Sequence, residues 1–288
     1  MRPKKPKKTL NPTHSHRNKP IKPSLASKTA LTTLPDNAAK ARSGLLLYGY
    51  HSVIAALSNA QRNPIRLFAT EEAADKLRTV NTQPLPPTTC LSRTQLDQMI
   101  KPKQSEKAGL PHQGLILHTK PLDQPDLSDL LNLLHSGKPY RRFLILDQVT
   151  DPRNIGAILR SARAFGTDAI ILTSRHAPDE SGALAKAAAG ALEDVPLVKV
   201  NNLARALATL KDHFVTLAGL EAAAPKNINQ LAKTAHLGLI LGSEGYGLRR
   251  LTREACDVMA SIEMAESSES LNVSVAAAIA LYATQFQR

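Results

Sequence analysis

Apolar and polar positions along the chain fall into two blocks, one on each side of a proline-bounded segment. In the first block, "GYHSVIAALSNA" has helical apolar spacing, "IRLFA" reads as a strand, "EEAADKLRTV" as a helix and "QGLILHT" as another strand. This predicts a small α/β unit ending near Lys120. "KPLDQPDLSDLLNLLHSGKPYRR" has prolines near its ends and a short helical pattern within, which suits a connection. The second block opens at Phe143: "FLILD", a helix from about Asn154 to Phe165, "AIILT", a helix over "GALAKAAAGAL", "LVKV", a helix over "NLARALATLK", "FVTLAG" and "LGLILG". Short, continuously apolar strands alternating with helices predict an α/β fold with a parallel sheet covered by helices on both faces. A last strand candidate, "DVMASIEM", leads through a polar loop to a final helix opening at "LNVSVAAAIA". The expected division is a tail over 1–42, a small α/β domain over 43–120, a linker over 121–142 and a larger domain over 143–288.

Composition sharpens that division. Eight Lys, three Arg and one Asp fall in residues 1–42, so the tail carries most of the formal charge of +13. Six prolines and no apolar period leave it unable to offset chain entropy by burial, which predicts disorder. It lacks the apolar run of a signal peptide, and its prolines oppose the amphipathic helix of a transit peptide. A basic arm of this kind either neutralises nucleic-acid phosphates or serves only solubility. Cys90 and Cys256 are far apart and form no C-x-x-C pair, so neither a disulfide framework nor a thiolate metal site is expected, and a reducing cytoplasm is the natural compartment. No apolar stretch is long enough to predict a transmembrane span.

Three segments carry candidate chemistry. In "LILDQVTDPRNIGAILRSARAFG", a buried strand runs out at Asp147, and Asp151 and Pro152 read as an N-cap and first helical residue. Ile155, Ile158, Leu159 and Ala162 would face the sheet, leaving Arg153, Gly156 and Arg160 on the other side. That second face is either a solvated basic surface or a place where a polymer phosphate approaches over Gly156 and meets Arg160, beyond the carboxyl ends of the strands. "LGLILGSEGYGLRRL" follows a strand with glycines at 242, 245 and 247. Its spacing is not that of a dinucleotide fingerprint, and Leu248 and Arg249 stand where a P-loop needs Lys and Ser or Thr. Glu244 either orients a ribose hydroxyl or base edge, or is an acidic residue favoured at a helix start. In "SIEMAESSESLNVSVAAAIALYATQ", serines 267, 268 and 270 lack a nucleophile elbow, and the chain has no H-E-x-x-H pair. Asn272 is suited to cap the last helix.

These motifs in this order, N-x-G-x-x-x-R, G-S-E-G-x-G-L and S-L-N-V-S-V-A, each after a strand, closely resemble the SpoU (TrmH-like) branch of the SPOUT RNA methyltransferases. "YGYHSVIAAL" and "HQGLIL" resemble the small substrate-binding domain of the subgroup acting on a guanosine ribose in large-subunit ribosomal RNA. The resemblance implies a 2′-O-ribose methyltransferase using S-adenosylmethionine, with a C-terminal trefoil knot, a small RNA-binding domain before it, and no metal. It also implies a homodimer through the C-terminal helix, where alanines 276, 277, 278, 280 and 283 permit close approach. Cofactor-binding positions carry over to Gly242, Ile262, Met264 and Leu271, and catalytic or substrate-positioning ones to Asn154, Arg160, Glu244 and Asn272. Asn272 then has two roles that are compatible, capping the helix and fixing its own amide beside cofactor and ribose. A guanidinium is a poor base, so Arg160 is expected to clamp phosphate and stabilise developing alkoxide charge. The family's usual I-P-M-x-G-x-x-x-S-L-N departs here, with Glu263 for the proline and Glu266 for the glycine, which would reshape the loop. The alternatives left open are a tRNA substrate, and a weakly active RNA-binding ribosome-assembly protein of the same fold.

Overall fold

The computed structural model describes residues 44–81, 83–100, 112–175, 177–265 and 270–285. The basic tail and the substitution at Glu266 lie outside the described residues, as do Ser267 and Ser268. The described residues form two sheets.

The first sheet holds β1 (Leu45–Tyr48), β2 (Pro64–Ala69), β3 (Thr88–Cys90) and β4 (Leu115–Thr119) in the order β1-β4-β2-β3. Three helices join them: α1 (Tyr50–Ser58), α2 (Glu71–Val80) and α3 (Arg93–Ile100). Thr70 caps α2 by accepting from the Ala73 N–H, and Glu71 and Glu72 complement the positive end of its dipole. The proline-bounded segment contains α4 (Leu127–Leu134), started by a reciprocal capping box between Asp126 and Asp129.

The second sheet has seven strands: β5 (Arg141–Leu146), β6 (Ala169–Thr173), β7 (Leu197–Val200), β8 (Thr216–Leu220), β9 (Lys226–Asn227), β10 (His236–Leu241) and β11 (Val258–Ser261). Their order is β7-β6-β5-β10-β8-β11-β9, and every neighbouring pair is parallel. Five helices accompany them: α5 (Pro152–Ala164), α6 (Gly182–Ala188), α7 (Leu203–Asp212), α8 (Arg250–Ala255) and α9 (Val273–Thr284). One apolar cluster includes Leu144, Ile155 and Leu159 with the C-terminal Val273 and Ala277; a second sets Phe143, Ile145 and Ile171 against Leu207 and Leu210 of α7. Two clusters on alternate strand positions are what burial of both sheet faces requires.

Two expectations are corrected. β5 begins at Arg141 rather than Phe143, and both arginines are buried: Arg141 pairs with Asp168 at 2.7 Å, while the Arg142 guanidinium donates to the carbonyls of Thr284 and Ala235 at 2.7 and 2.9 Å. Their charge is satisfied inside the fold, which a reading of hydropathy cannot see. The helix expected over "GALAKAAAGAL" stops at Ala188, because Ala189 and Gly190 turn left-handed (φ +48° and +89°) before a short 3-10 turn over Ala191–Glu193. Gly190 is needed there: a Cβ would stand 2.8 Å from that of Ala55.

The sheets are locked together. Ser52 Oγ donates to the Ala185 carbonyl at 2.9 Å, and a Cβ on Gly182 would meet the Tyr48 ring at 2.3 Å. Arg62, its side chain fully buried, pairs with Glu180 at 2.6 Å and with Glu193, and donates to the Lys120 carbonyl at 3.1 Å. The larger apolar cluster runs unbroken from Leu47, Val53 and Leu67 into Leu144, Ile155 and Leu184.

Candidate active site

Asp151 caps α5 by accepting from the Arg153 N–H at 2.9 Å, and Pro152 takes the first helical position, where its missing N–H costs nothing. This puts Asn154 in the first turn, beyond the carboxyl ends of the strands. β10 ends nearby at Leu241, paired with Leu146 of β5. The chain then folds back on itself: the Gly247 N–H donates to the Ser243 carbonyl at 3.0 Å, with Gly245 and Gly247 at φ +86° and +65°. Gly242 lies so close under the returning strand that a Cβ would stand 2.1 Å from the Gly247 carbonyl carbon. Glycine is therefore required at 242, and the turn presents Glu244 outward.

Asn272 caps α9. Its Oδ1 accepts from the Ser274 N–H at 2.9 Å and from the Ser274 hydroxyl at 2.6 Å, which leaves Nδ2 pointing away from the helix. That Nδ2 donates to Glu244 Oε1 at 2.6 Å and to Asn154 Oδ1 at 3.3 Å. Glu244 Oε1 also accepts from Asn154 Nδ2 at 3.2 Å and from the Val273 N–H at 3.3 Å. One carboxylate oxygen thus gathers two side-chain amides and a helix-start N–H from two segments distant from its own, and fixes which way each amide faces.

Beside this cluster opens a cavity of about 750 Å³, within the range of sites for small organic ligands. Gly242, Ile262, Met264 and Leu271 all line it, together with Leu220 and Glu221 from the end of β8. Its wall combines apolar side chains with the backbone of the glycine turn. The Ser243 hydroxyl is buried there without a hydrogen-bond partner among the described residues. A slot lined by apolar side chains, the backbone of the glycine turn, Glu244 and the Glu221–Arg253 pair has the size and mixed polarity to hold a nucleoside cofactor.

Arg160 stands apart from the hydrogen-bonded cluster. It is exposed on α5, six residues and therefore about 9 Å along the axis from Asn154, and makes no hydrogen bond or ion pair among the described residues. The phosphate path over Gly156 is overturned. Gly156 is buried, and a Cβ on it would stand 2.3 Å from that of Ala187, so it serves the close crossing of α5 and α6. Glu263, which stands where the family's proline is usual, is absent from the cavity lining, and its carboxylate accepts from Asn227 Nδ2 at 3.4 Å.

Residues not assigned a role from the sequence also build the site. Asp147, fully buried, accepts from the Arg249 N–H at 3.1 Å and from Arg249 Nε at 2.6 Å, which ties the exit of the glycine turn to the end of β5. An acidic residue directly after a buried strand was the available signal. Cys256 is no nucleophile at neutral pH, since burial and then the neighbouring Asp257 push its thiol up to about 11. Among the described residues, no group of three or more His, Cys, Asp and Glu is placed to hold a metal ion, and no helix is long and apolar enough to cross a membrane.

Comparison with known proteins places this geometry among relatives. A model of the SpoU rRNA Methylase family matches residues 141–282. A protein of Escherichia coli K12 named 23S rRNA (guanosine-2'-O-)-methyltransferase RlmB is 39% identical over 247 residues, covering 84% of this chain and 98% of its own length. A protein of the same name from Coxiella burnetii is 37% identical over 250 residues, covering 84% and 95%. Among solved structures, a putative RNA methyltransferase of the TrmH family from Porphyromonas gingivalis superposes with a TM-score of 0.68 at 23% identity, covering 88% of this chain and 98% of that one. The SpoU methyltransferase AviRb from Streptomyces viridochromogenes, solved in complex with AdoMet, gives 0.67 at 21% identity, covering 87% and 93%. At such identities the structural matches establish the fold.

Proposed function

Because the chain belongs to the SpoU rRNA methylase family, we propose that it transfers a methyl group from S-adenosylmethionine to the 2′-oxygen of a guanosine in large-subunit ribosomal RNA. The observation that carries this reading is the convergence of Asn154, Glu244 and Asn272 on one carboxylate oxygen at the mouth of the cavity. The relatives named as 23S rRNA guanosine 2′-O-methyltransferases, which this chain matches over nearly their full length, supply the substrate.

Gly242, Ile262, Met264 and Leu271 would hold the cofactor, which when bound supplies an electrophilic methyl on a sulfonium. The chain's own task is to keep the ribose in line with it and to stabilise charge growing on the hydroxyl oxygen. Asn272 Nδ2, anchored by Glu244, would turn its second N–H from the long bond to Asn154 Oδ1 onto that oxygen, and Asn154 Nδ2, on the same anchor, has one N–H beyond its bond to Glu244. Arg160 acts as an electrostatic stabiliser and phosphate clamp, the roles a planar guanidinium suits. Residues 43–120 form the small RNA-binding domain, 121–142 the linker and 143–288 the methyltransferase domain, threaded as a trefoil knot. The insertion of β10 between β5 and β8 supports that threading. The protein acts as a cytoplasmic homodimer through α9, on which Val275, Ile279 and Tyr282 (45, 37 and 63% exposed) form an apolar stripe. Ala277 and Ala280 lie in the chain's own core, so this stripe supports a dimer better than the alanines do.

The test is ribose-methylation mapping of total RNA from cells with and without the gene, with tritium transfer from labelled cofactor to purified large-subunit RNA. Loss of one guanosine methylation in that RNA is expected. Loss confined to tRNA would move the substrate, and no transfer to any RNA would leave an RNA-binding assembly factor. Sedimentation of a monomer at working concentration would overturn the dimer.

A further inference from the structure

We propose that Arg249, held by the buried Asp147, is a substrate-positioning residue that grips an RNA phosphodiester beside the methylated ribose. The inference rests on the reading of the site as an RNA methyltransferase centre. Asp147 is fully buried, and a buried carboxylate requires a close cationic partner. The way it is satisfied is informative. Its two oxygens take the Arg249 N–H and Nε, at 3.1 and 2.6 Å, so the stem of the guanidinium is fixed while both terminal nitrogens stay without a partner among the described residues. The side chain is 45% exposed. Its neighbours differ: Arg250 and Arg253 spend a terminal nitrogen on Glu254 and Glu221.

Position gives the idle fork a target. Asp147 directly follows β5, the strand that leads to Asn154, and Arg249 ends the turn that presents Glu244. β5 and β10 are neighbours in the sheet, so the fork lies at the carboxyl edge between the two segments that build the candidate centre. Two parallel N–H groups in a plane match two phosphate oxygens, and a fork whose stem is already immobile loses little entropy on contact. Arg153, nearly fully exposed on the same edge and held to Asp151 only through Nε at 3.7 Å, leaves its terminal nitrogens on that side as well.

The experiment uses the full chain and transcribed large-subunit RNA. It compares wild type with Arg249→Gln, Arg249→Lys and Asp147→Asn for RNA affinity across salt, KM for RNA, cofactor affinity by equilibrium titration, and melting. Arg249→Gln is expected to raise KM for RNA about tenfold and to reduce the log-log salt slope by about one, with cofactor affinity within about twofold of wild type. Arg249→Lys keeps an ion pair for Asp147 and should melt like wild type, yet it lacks the fork and should still raise KM. Asp147→Asn frees the fork without removing its charge, so KM should rise with the salt slope unchanged. Wild-type KM and slope in both Arg249 variants, or cofactor affinity lost in step with RNA affinity, would show that Arg249 only closes the turn. A wild type that methylates no RNA defeats the underlying function instead, which keeps the two failures distinguishable.

Discussion

At the scale of single residues, Asn272 shows how capping and chemistry combine in one side chain. Its Oδ1 satisfies the helix start while its Nδ2 answers Glu244. Asn272→Asp keeps the capping oxygen but replaces the donor by a carboxylate facing Glu244, where like charges repel. Methyl transfer should fall at least about a hundredfold, as expected when one donor to a developing oxyanion is removed, while the cap is retained. Single-turnover kinetics and melting of the same preparation check this; unchanged turnover would reduce Asn272 to a cap. His112 yields a pH prediction. It is buried, its Nδ1 accepts from the Gly114 N–H at 2.9 Å, and burial, reinforced by Arg93 and Lys186 against Asp97, lowers its pKa. The neutral ring is the folded form, so its stabilising share is present above the unfolded value of 6.5 and is lost as pH falls below it through the folded value. His118 and His236 are lowered too, chiefly by burial, and act in the same direction. Unfolding in urea should show lower stability at pH 5 than at pH 7.5, and His112→Gln should narrow that difference.

Among elements, legibility followed burial. "AIILT" and "LVKV" match β6 and β7 to the residue: β6 is an interior strand buried throughout, and β7, though at the sheet edge, keeps three of its four residues buried. β3, "TTC", has too little apolar content to stand out from a loop, and β1 adjoins the tail, where no period frames it. Candidate-site residues were found by motif rather than by pattern: Asn154 and Asn272 are 118 positions apart, and local periodicity carries no information across such a gap. The same limit misplaced Gly156, since a helical wheel shows which side of α5 is less apolar but not that α6 covers it. Gly156→Ala forces a methyl against Ala187 and backbone, and should cost about 1–3 kcal/mol of stability by overpacking. The overturned phosphate path would instead predict weaker RNA binding with unchanged melting, so thermal denaturation and RNA titration of this variant separate the two. Arg62 is the corresponding test of the contact between the sheets. Arg62→Ala strands Glu180 and Glu193 without their cation and should destabilise by about 3–5 kcal/mol. Arg62→Met with Glu180→Gln and Glu193→Gln removes the charges together and should recover much of that loss, as read from denaturant midpoints.

For the whole molecule, formal charge is concentrated in the tail, and the folded body joins buried ion pairs at Arg62 and Arg141 to a larger number at its surface. Arg62, Arg141 and Arg142 are committed to buried partners and Arg250 and Arg253 to surface carboxylates, whereas Lys120, Arg160, Arg175, Arg205 and Lys233 are exposed and form no ion pair among the described residues. Residues 1–42 hold eight Lys and three Arg against one Asp and make up most of the net charge. If that segment contacts RNA, each phosphate it neutralises steepens the fall of affinity with salt by about 0.9 in a log-log plot. Deleting residues 1–42 should therefore weaken RNA binding most at low salt and flatten the slope by several units, while cofactor affinity, set at the cavity, stays the same. The turnover number at saturating RNA should also persist, because the Asn154, Glu244 and Asn272 cluster is built entirely from residues after 143. A slope equal to that of the full chain would assign the tail no part in binding and return the whole electrostatic contribution to the exposed cations of the folded body, Arg160 and Arg249 among them.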